Sequence, residues 1–264
     1  MKRISILLFT VLVCVSASAY AVALTGELAS KPVAVTLPTP VQEVEINGNI
    51  ILTIVQSNTN KLECYGNKAD QLSINERNGK LIITNSFIRK ALSIFKPTKS
   101  QTIKATLYTT NPSLIRELEG NNACKIIYKF PQLQLHKLSV DLSGASSAVV
   151  LVNAAELDLE ASGASTVEAK GSFTSVDCDM SGASNAHLAG STNKVNLDAS
   201  GASHINALGL NADFAEVEAS GASHIKMAVN QSLDAEAVGA SSIRYKGAPV
   251  TRIKSAGAST IRAI

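Results

Sequence analysis

The stretch VDCDMSGASNAHLAGSTNKVNLDASGASHINALG, residues 176–209, contains SGAS twice, each time between runs in which apolar and polar residues alternate. Gly-Ala-Ser recurs along the chain with its glycines spaced 19, 19, 19, 20, 18 and 18 residues apart. A period near 20 residues predicts a solenoid, in which each repeat stacks on the next and buries a continuous core. The motif glycines are Gly144, Gly163, Gly182, Gly201, Gly221, Gly239 and Gly257.

The residues around each motif glycine predict the shape of one coil. Alternation with a period of two on both sides of the glycine is typical of two short strands joined by a tight bend. A second glycine, eight residues after four of the motif glycines, marks a further turn. The chain is therefore predicted to be all-β, with parallel strands and about 19 residues per coil. The inward positions are Val140, Leu159, Cys178, Leu197, Val217, Ala235 and Ile253 before the glycines, and Ala148, Val167, Ala186, Ile205, Ile225, Ile243 and Ile261 after them.

The repeated serine raises the question of a catalytic nucleophile. A nucleophile on a sharp turn requires Gly-x-Ser-x-Gly, and Ala148 stands where the last glycine would be needed. Such a group would also not be copied in every repeat. The serines are instead predicted to form a ladder, with each hydroxyl about 4.8 Å from the hydroxyl of the next coil. They are Ser146, Ser165, Ser184, Ser203, Ser223, Ser241 and Ser259.

Acidic residues occupy two outward positions of the repeat and should form two columns. Neighbouring carboxylates one strand apart repel by about 1 kcal/mol even in water. The columns are therefore either a solvated face that discourages aggregation or a site for a hard cation such as calcium, with Asp179, Asp198 and Glu218 as candidate ligands. His204 and His224 should stack in the same way, as a polar ladder. The predicted columns are Asp141, Glu160, Asp179, Asp198, Glu218 and Glu236, and Asp158, Asp177, Glu216 and Asp234.

The N-terminus has the pattern of a secretory signal peptide over residues 1–23. Basic MKR precedes apolar ISILLFTVLVCV, and small residues offer cleavage after Ala19, Ala21 or Ala23. The apolar run is shorter than the roughly 20 residues of a membrane-spanning helix. The mature chain is therefore expected to be exported, with no membrane span after cleavage. A linker over 24–40 should lead to a β-rich region at 41–136, which caps the repeats at 137–264.

The β-rich region contains three predicted strand segments. VEINGNIILTIV (44–55) and IKATLYTT (103–110) are predicted strands, and LSINERNGKLIIT (72–84) is predicted to be a hairpin turning at Asn78-Gly79. Residues 85–101 form a predicted basic loop that is either a solvated surface loop or a contact for a polyanion or membrane surface. Its cations are Arg89, Lys90, Lys96 and Lys99.

Cysteine usage and charge exclude several classes of protein. Cys64, Cys124 and Cys178 are too few and too scattered for a disulfide framework, and no Cys/His spacing resembles a zinc site. Residues 24–136 hold 13 basic and 8 acidic residues, whereas residues 137–264 hold 9 and 13. The net charge of +3 and the scarcity of aromatics among the basic residues argue against nucleic-acid binding.

The SGAS-type repeats, the degenerate repeat LIRELEGNNACKII (114–127) and YKGAP at Tyr245–Pro249 resemble the auto-transporter adhesin head GIN domain family of bacterial envelope proteins. The resemblance covers roughly residues 40 to 262. It implies a right-handed parallel β-helix and an adhesin-like envelope protein, and it carries over no catalytic residues. A true autotransporter ends in a membrane barrel, but here the last coil finishes at Ile264.

The expected function is a non-enzymatic, exported adhesion or interaction module with no cofactor. Its ligand is an unknown surface protein or glycan. A carbohydrate-active β-helix enzyme with paired carboxylates and a purely structural envelope protein remain alternatives. A C-terminal basic cluster is predicted to discourage strand addition at the last coil and keep the protein monomeric. The cluster comprises Arg244, Lys246, Arg252, Lys254 and Arg262.

Overall fold

The computed structural model describes residues 32–66, 69–85 and 102–264. The predicted signal peptide, residues 24–31 of the predicted linker and residues 86–101 of the predicted basic loop lie outside the described residues. Single 3₁₀ turns occur at Ala69–Gln71 and Pro112–Leu114. The strands are β1 (Val33–Thr36), β2 (Glu43–Asn47), β3 (Ile50–Gln56), β4 (Lys61–Tyr65), β5 (Leu72–Arg77), β6 (Lys80–Asn85), β7 (Ile103–Thr109), β8 (Glu117–Asn121), β9 (Lys125–Ser143), β10 (Ser147–Ala161), β11 (Thr166–Met180), β12 (Asn185–Ala199), β13 (His204–Ala219), β14 (His224–Gly239), β15 (Ser242–Lys246), β16 (Val250–Gly257) and β17 (Thr260–Ala263).

The repeats form a parallel β-helix in which each coil pairs with the coils on either side. Strands β9 to β14 pair successively in parallel, so that Ser147 lies beside Thr166 and Thr166 beside Asn185. The last coils continue as shorter strands, with β15 and β16 on the two parts of β14 and β17 on β15. The predicted all-β parallel β-helix is confirmed.

Parallel pairing continues on the N-terminal side of the Gly-Ala-Ser repeats. Strand β2 lies between β6 and β8, and β3 lies between β7 and β9. The β2–β3 coil therefore lies between two others. The coil of β6 and β7 covers its outer side, and the coil that contains β8 and β9 lies on the side of the Gly-Ala-Ser repeats. The prediction of one strand over 44–55 is wrong, because Gly48, at a φ of +104°, turns the chain between β2 and β3.

Antiparallel strands cover the N-terminal end of the stack. Strand β5 pairs with β6, β4 with β7, and β1 with β4. The predicted hairpin is confirmed, since Asn78 and Gly79 both have positive φ (53° and 83°) as a tight hairpin turn requires. Because these strands run against the coils, they end the repeat and protect its edge from further pairing.

The Gly-Ala-Ser corner is set by the backbone of the motif glycine. The seven motif glycines have φ between 69° and 82°, a conformation that side chains disfavour. A Cβ added at Gly163 would also lie 2.5 Å from the carbonyl oxygen of Gly144 in the preceding coil. The amide of the alanine that follows each motif glycine bonds to the motif glycine of the preceding coil; for example, Ala183 N donates to Gly163 O at 2.7 Å. Glycine therefore allows both the bend and the close stacking of coils.

The motif serines recur at the same position of successive coils, and the structure adds what the predicted ladder left open, the partners of their hydroxyls. Their side chains are buried in every coil but the last, and all the hydroxyls but one donate to backbone carbonyls. The Ser203 hydroxyl lies 2.8 Å from Ser200 O and 3.0 Å from Met180 O, so one proton serves the corners of two coils. The hydroxyl of Ser184 has no hydrogen-bond partner. Serine hydroxyls therefore stabilise the corner by hydrogen bonds within one coil and to the preceding coil.

A thin aliphatic core runs along the axis of the stack. The predicted inward residues are buried from Val140 to Ile243. In the last coil, Ile253 is 42% exposed and Ile261 is partly buried, because no further described strand packs over them. Small and β-branched side chains suit this narrow interior.

Candidate functional site

Two rows of carboxylates run along one sheet of the β-helix, here called the acidic sheet. Strand register places the predicted members in the predicted order, without a gap in the first column and with one uncharged residue between Asp177 and Glu216 in the second. It also adds four glutamates from the N-terminal coils that sequence reasoning missed. The first acidic column is Glu45, Glu119, Asp141, Glu160, Asp179, Asp198, Glu218 and Glu236. The second is Glu43, Glu117, Asp158, Asp177, Glu216 and Asp234, interrupted by Ser139 and Asn196.

The missed glutamates had a signal in the sequence. The pattern acidic-x-acidic-x-x-Gly occurs in DLEASG (158–163) and also in EVEING (43–48). In ELEGNN (117–122), Asn122 takes the place of the glycine, with a φ of 62°. Asparagine tolerates this left-handed conformation. The degenerate repeat therefore keeps the backbone geometry of the corner although Asn122 replaces the motif glycine.

Cations terminate both columns. At the N-terminal end, Lys80 Nζ lies 3.2 Å from Glu45 and 3.0 Å from Glu119. At the C-terminal end, Arg252 and Lys254 continue the columns and contact Asp234 at 3.5 Å and Glu236 at 3.4 Å. In the middle of the first column, Asp179, Asp198 and Glu218 have one another as neighbours in register. Among the described residues, uncompensated negative charge therefore concentrates in the middle of the first column, whereas Lys137 and Lys194 lie close to carboxylates of the second.

The carboxyl pKa values follow this crowding. Burial raises the pKa of Asp198, and the charges of Asp179 and Glu218 raise it further. Burial is also the main cause of the raised pKa values of Asp141 and Asp177, with neighbouring carboxylates second. A hydrogen bond with Glu119 is the main cause that raises the pKa of Glu117 to about 7. Burial and mutual repulsion thus both disfavour the charged carboxylates of the acidic sheet, and a cationic partner would favour them.

A shallow cleft of about 250 Å³ follows the first column. The candidate calcium ligands Asp179, Asp198 and Glu218 lie side by side on successive strands. Among the described residues, no three His, Cys, Asp or Glu side chains converge on a common point as a metal-binding group. The cleft offers a row of negative charge beside polar side chains. Its lining comprises Glu119, Asn121, Asp141, Leu142, Ser143, Glu160, Ala161, Ser162, Asp179 and Ser181.

The nucleophile candidates are buried. Ser165 and Ser203 are fully buried, and their hydroxyls donate to backbone carbonyls. The three described cysteines are free and buried, and burial raises the pKa of Cys64 to about 11. A buried thiol that stays protonated is a poor nucleophile and a poor metal ligand. These side chains therefore serve packing.

The sheet on the other side of the Gly-Ala-Ser corner, here called the basic sheet, has the opposite character. The predicted histidine stack is confirmed, since the His204 and His224 rings lie 5.0 Å apart between centroids and 3° from parallel. Beside them is a cleft of about 280 Å³, which includes His187 and Lys226. A larger one of about 460 Å³ on the same sheet includes Lys129 and Lys170. The basic sheet presents donors and cations where the acidic sheet presents carboxylates.

Residues 41–249 match the sequence model of a family described as "Putative auto-transporter adhesin, head GIN domain". The chain belongs to the head GIN family. The match runs from the residues just before β2 to the turn before β16, so this head GIN domain includes both charged sheets and the antiparallel strands β4 and β5. The predicted resemblance is confirmed.

Solved structures share the fold of this head GIN domain. A "putative adhesin" from Parabacteroides merdae ATCC 43184 has a TM-score of 0.74 at 17% identity, covering 89% of this chain and 95% of its own. A "putative lipid binding protein" from Parabacteroides distasonis ATCC 8503 has a TM-score of 0.71 at 17% identity, and the match covers 88% of this chain and 96% of that protein. A "putative adhesin" from the same strain has a TM-score of 0.69 at 15% identity, and the match covers 89% of this chain and 96% of that protein. At these identities the likeness shows the fold alone. No curated protein sequence matches the chain.

The family description thus indicates an adhesin-like envelope protein. Within residues 32–66, 69–85 and 102–264, no helix has the length and apolarity needed to cross a membrane.

Proposed function

We propose that this head GIN domain is an exported, non-enzymatic module that binds a ligand at the bacterial surface. The observation that supports the proposal is the continuity of its charged columns, which extend over successive coils without converging on a reactive centre. A long, regular surface suits an extended partner contacted at many weak points, because each exposed ion pair contributes only about 0.2–1 kcal/mol. Affinity then grows with the number of coils engaged.

Export is tested by protease treatment of intact cells. If residues 1–23 direct secretion and the domain is displayed outside, protease added to intact cells should remove it while a periplasmic marker survives. Lysed cells serve as the control for protease sensitivity. Full protection in intact cells would place the domain inside the envelope and contradict a role in surface adhesion.

A carbohydrate-active enzyme is the second candidate, and the carboxylate-lined cleft is the observation that favours it. Acid–base cleavage of a glycosidic bond uses two carboxylates flanking the bond, and the cleft contains Glu160 and Asp179 side by side. We expect no release of reducing ends from a panel of acidic and neutral polysaccharides. Release that disappears in Asp179→Ala or Asp198→Ala would replace the adhesion proposal with an enzymatic one.

A further inference from the structure

The C-terminal coils carry a row of cations on the basic sheet. Lys226, Arg244 and Arg262 occupy the position five residues after the motif glycine and follow one another in register on β14, β15 and β17. We call these three residues the cation column. Their backbones are one strand spacing apart, about 4.8 Å. Alternation along the strands puts His224 and Lys246 on the same outward side as the column.

The cation column lacks the compensation found on the acidic sheet. There, Lys194, Arg252 and Lys254 each lie within 4 Å of a carboxylate. In the described part of the chain, none of the three cation-column residues forms an ion pair. The nearest acidic residue in their own row is Glu168, three coils away from Lys226. Stacked like charges repel at this distance, so an anion would relieve the column.

A cleft with hydrogen-bonding side chains adjoins the first cation of the column. It has a volume of about 280 Å³, and Ala186 and Ile205 form its floor. Guanidinium groups, amides and imidazoles together can contact both the charges and the hydroxyls of a sugar chain. The side chains that line it are Asn185, His187, His204, Asn206, His224 and Lys226.

We propose that the cation column and this cleft form a docking surface for a linear acidic polysaccharide lying along the axis of the β-helix. Charge complementarity and the straight row of cations favour an extended polyanion over a compact anion. Single-stranded nucleic acid would need exposed aromatic rings on which bases stack. Among the described residues of these coils, the exposed phenylalanine, Phe214, pairs in register with Lys194 and Ser232 on the acidic sheet. The exposed rings beside the cation column are the imidazoles of His204 and His224, which already stack on each other. The inference rests on the proposed function and specifies its ligand class.

The test uses the purified chain and alginate, with dextran as the neutral polymer, in calorimetric titrations at low and high salt. Replacing the three cation-column residues with glutamine should weaken alginate binding at least about ten-fold. The matched control, Lys194→Gln with Arg252→Gln and Lys254→Gln, makes the same change in net charge on the acidic sheet and should change affinity less than about two-fold. Binding should also weaken as sodium chloride rises.

Three outcomes would overturn the inference. Equal losses in the two triple variants would show that only net charge matters. Equal or tighter binding to phosphatidylglycerol vesicles or to single-stranded DNA would assign the column to another class of polyanion. Absence of alginate binding in the wild-type chain would remove the ligand class, while protease treatment of intact cells would still decide the proposed surface function independently. Circular dichroism confirms that each variant is folded.

Discussion

Replacing Asp198 with asparagine should stabilise the folded chain at neutral pH. Asp198 lies between Asp179 and Glu218 in the first acidic column. At a separation of about 4.8 Å in water, each neighbouring charge costs about 0.9 kcal/mol. Screening at 0.15 M salt, with a Debye length of about 8 Å, roughly halves the sum. We therefore expect a gain of about 1 kcal/mol, or about 2–4 °C in the thermal midpoint.

The gain should depend on pH in a defined direction. Because the folded state raises the pKa of Asp198, the native chain binds more protons than the unfolded chain between the ordinary value near 4 and the raised value. The free energy of unfolding of the wild type therefore rises as pH falls through this window. The advantage of the asparagine variant should shrink across it and disappear below about pH 4. Thermal unfolding followed by circular dichroism measures both effects.

Glu236→Gln is the matched control. Glu236 has Glu218 on one side but Lys254 at 3.4 Å on the other, so its repulsion and attraction nearly cancel. We expect this variant to be neutral or slightly destabilised. An Asp198→Asn variant that loses stability at pH 7, or a gain that survives 0.5 M sodium chloride unchanged, would refute the account of stored repulsion. Confirmation would mean that the acidic sheet is retained at a cost in stability, as expected of a binding surface.

Three further predictions concern the corners, cations and assembly. Ser203→Ala should lower the free energy of unfolding by about 1–2 kcal/mol, because it removes a buried donor to two carbonyls, whereas Ser184→Ala should cost less; equal losses in urea titrations would contradict the hydrogen-bond assignment. If the first acidic column binds calcium, millimolar calcium should raise the thermal midpoint, and amide substitution of all three candidate calcium ligands should remove the rise; an unchanged midpoint in the wild type would leave a solvated face. The wild type should sediment as a monomer, and serine at Arg252, Lys254 and Arg262 should promote concentration-dependent association; a wild type already dimeric at micromolar concentration would contradict protection of the last coil by charge.

The sequence by itself was sufficient for the repeat and for the faces of its strands. The spacing of Gly-Ala-Ser predicted coils of about 19 residues, and alternation separated inward residues such as Leu197 from outward ones such as Asp198. Both features are local, because one repeat contains its own bend and its own alternation. Once the repeats stack in register, identical positions must form columns. The acidic columns of the middle coils and the histidine stack could therefore be predicted without coordinates.

Tertiary structure alone decided how the N-terminal coils join the stack and where the serine protons point. The order β6–β2–β8 brings Glu45 beside Glu119, although 74 residues separate them in the chain. No local pattern encodes such a pairing, because it depends on which strand edge remains open when each segment arrives. The Ser203 hydroxyl likewise donates to the backbone carbonyls of Ser200 and Met180. Buried polar groups take the nearest acceptor in three dimensions, and that distance exists only in the folded corner.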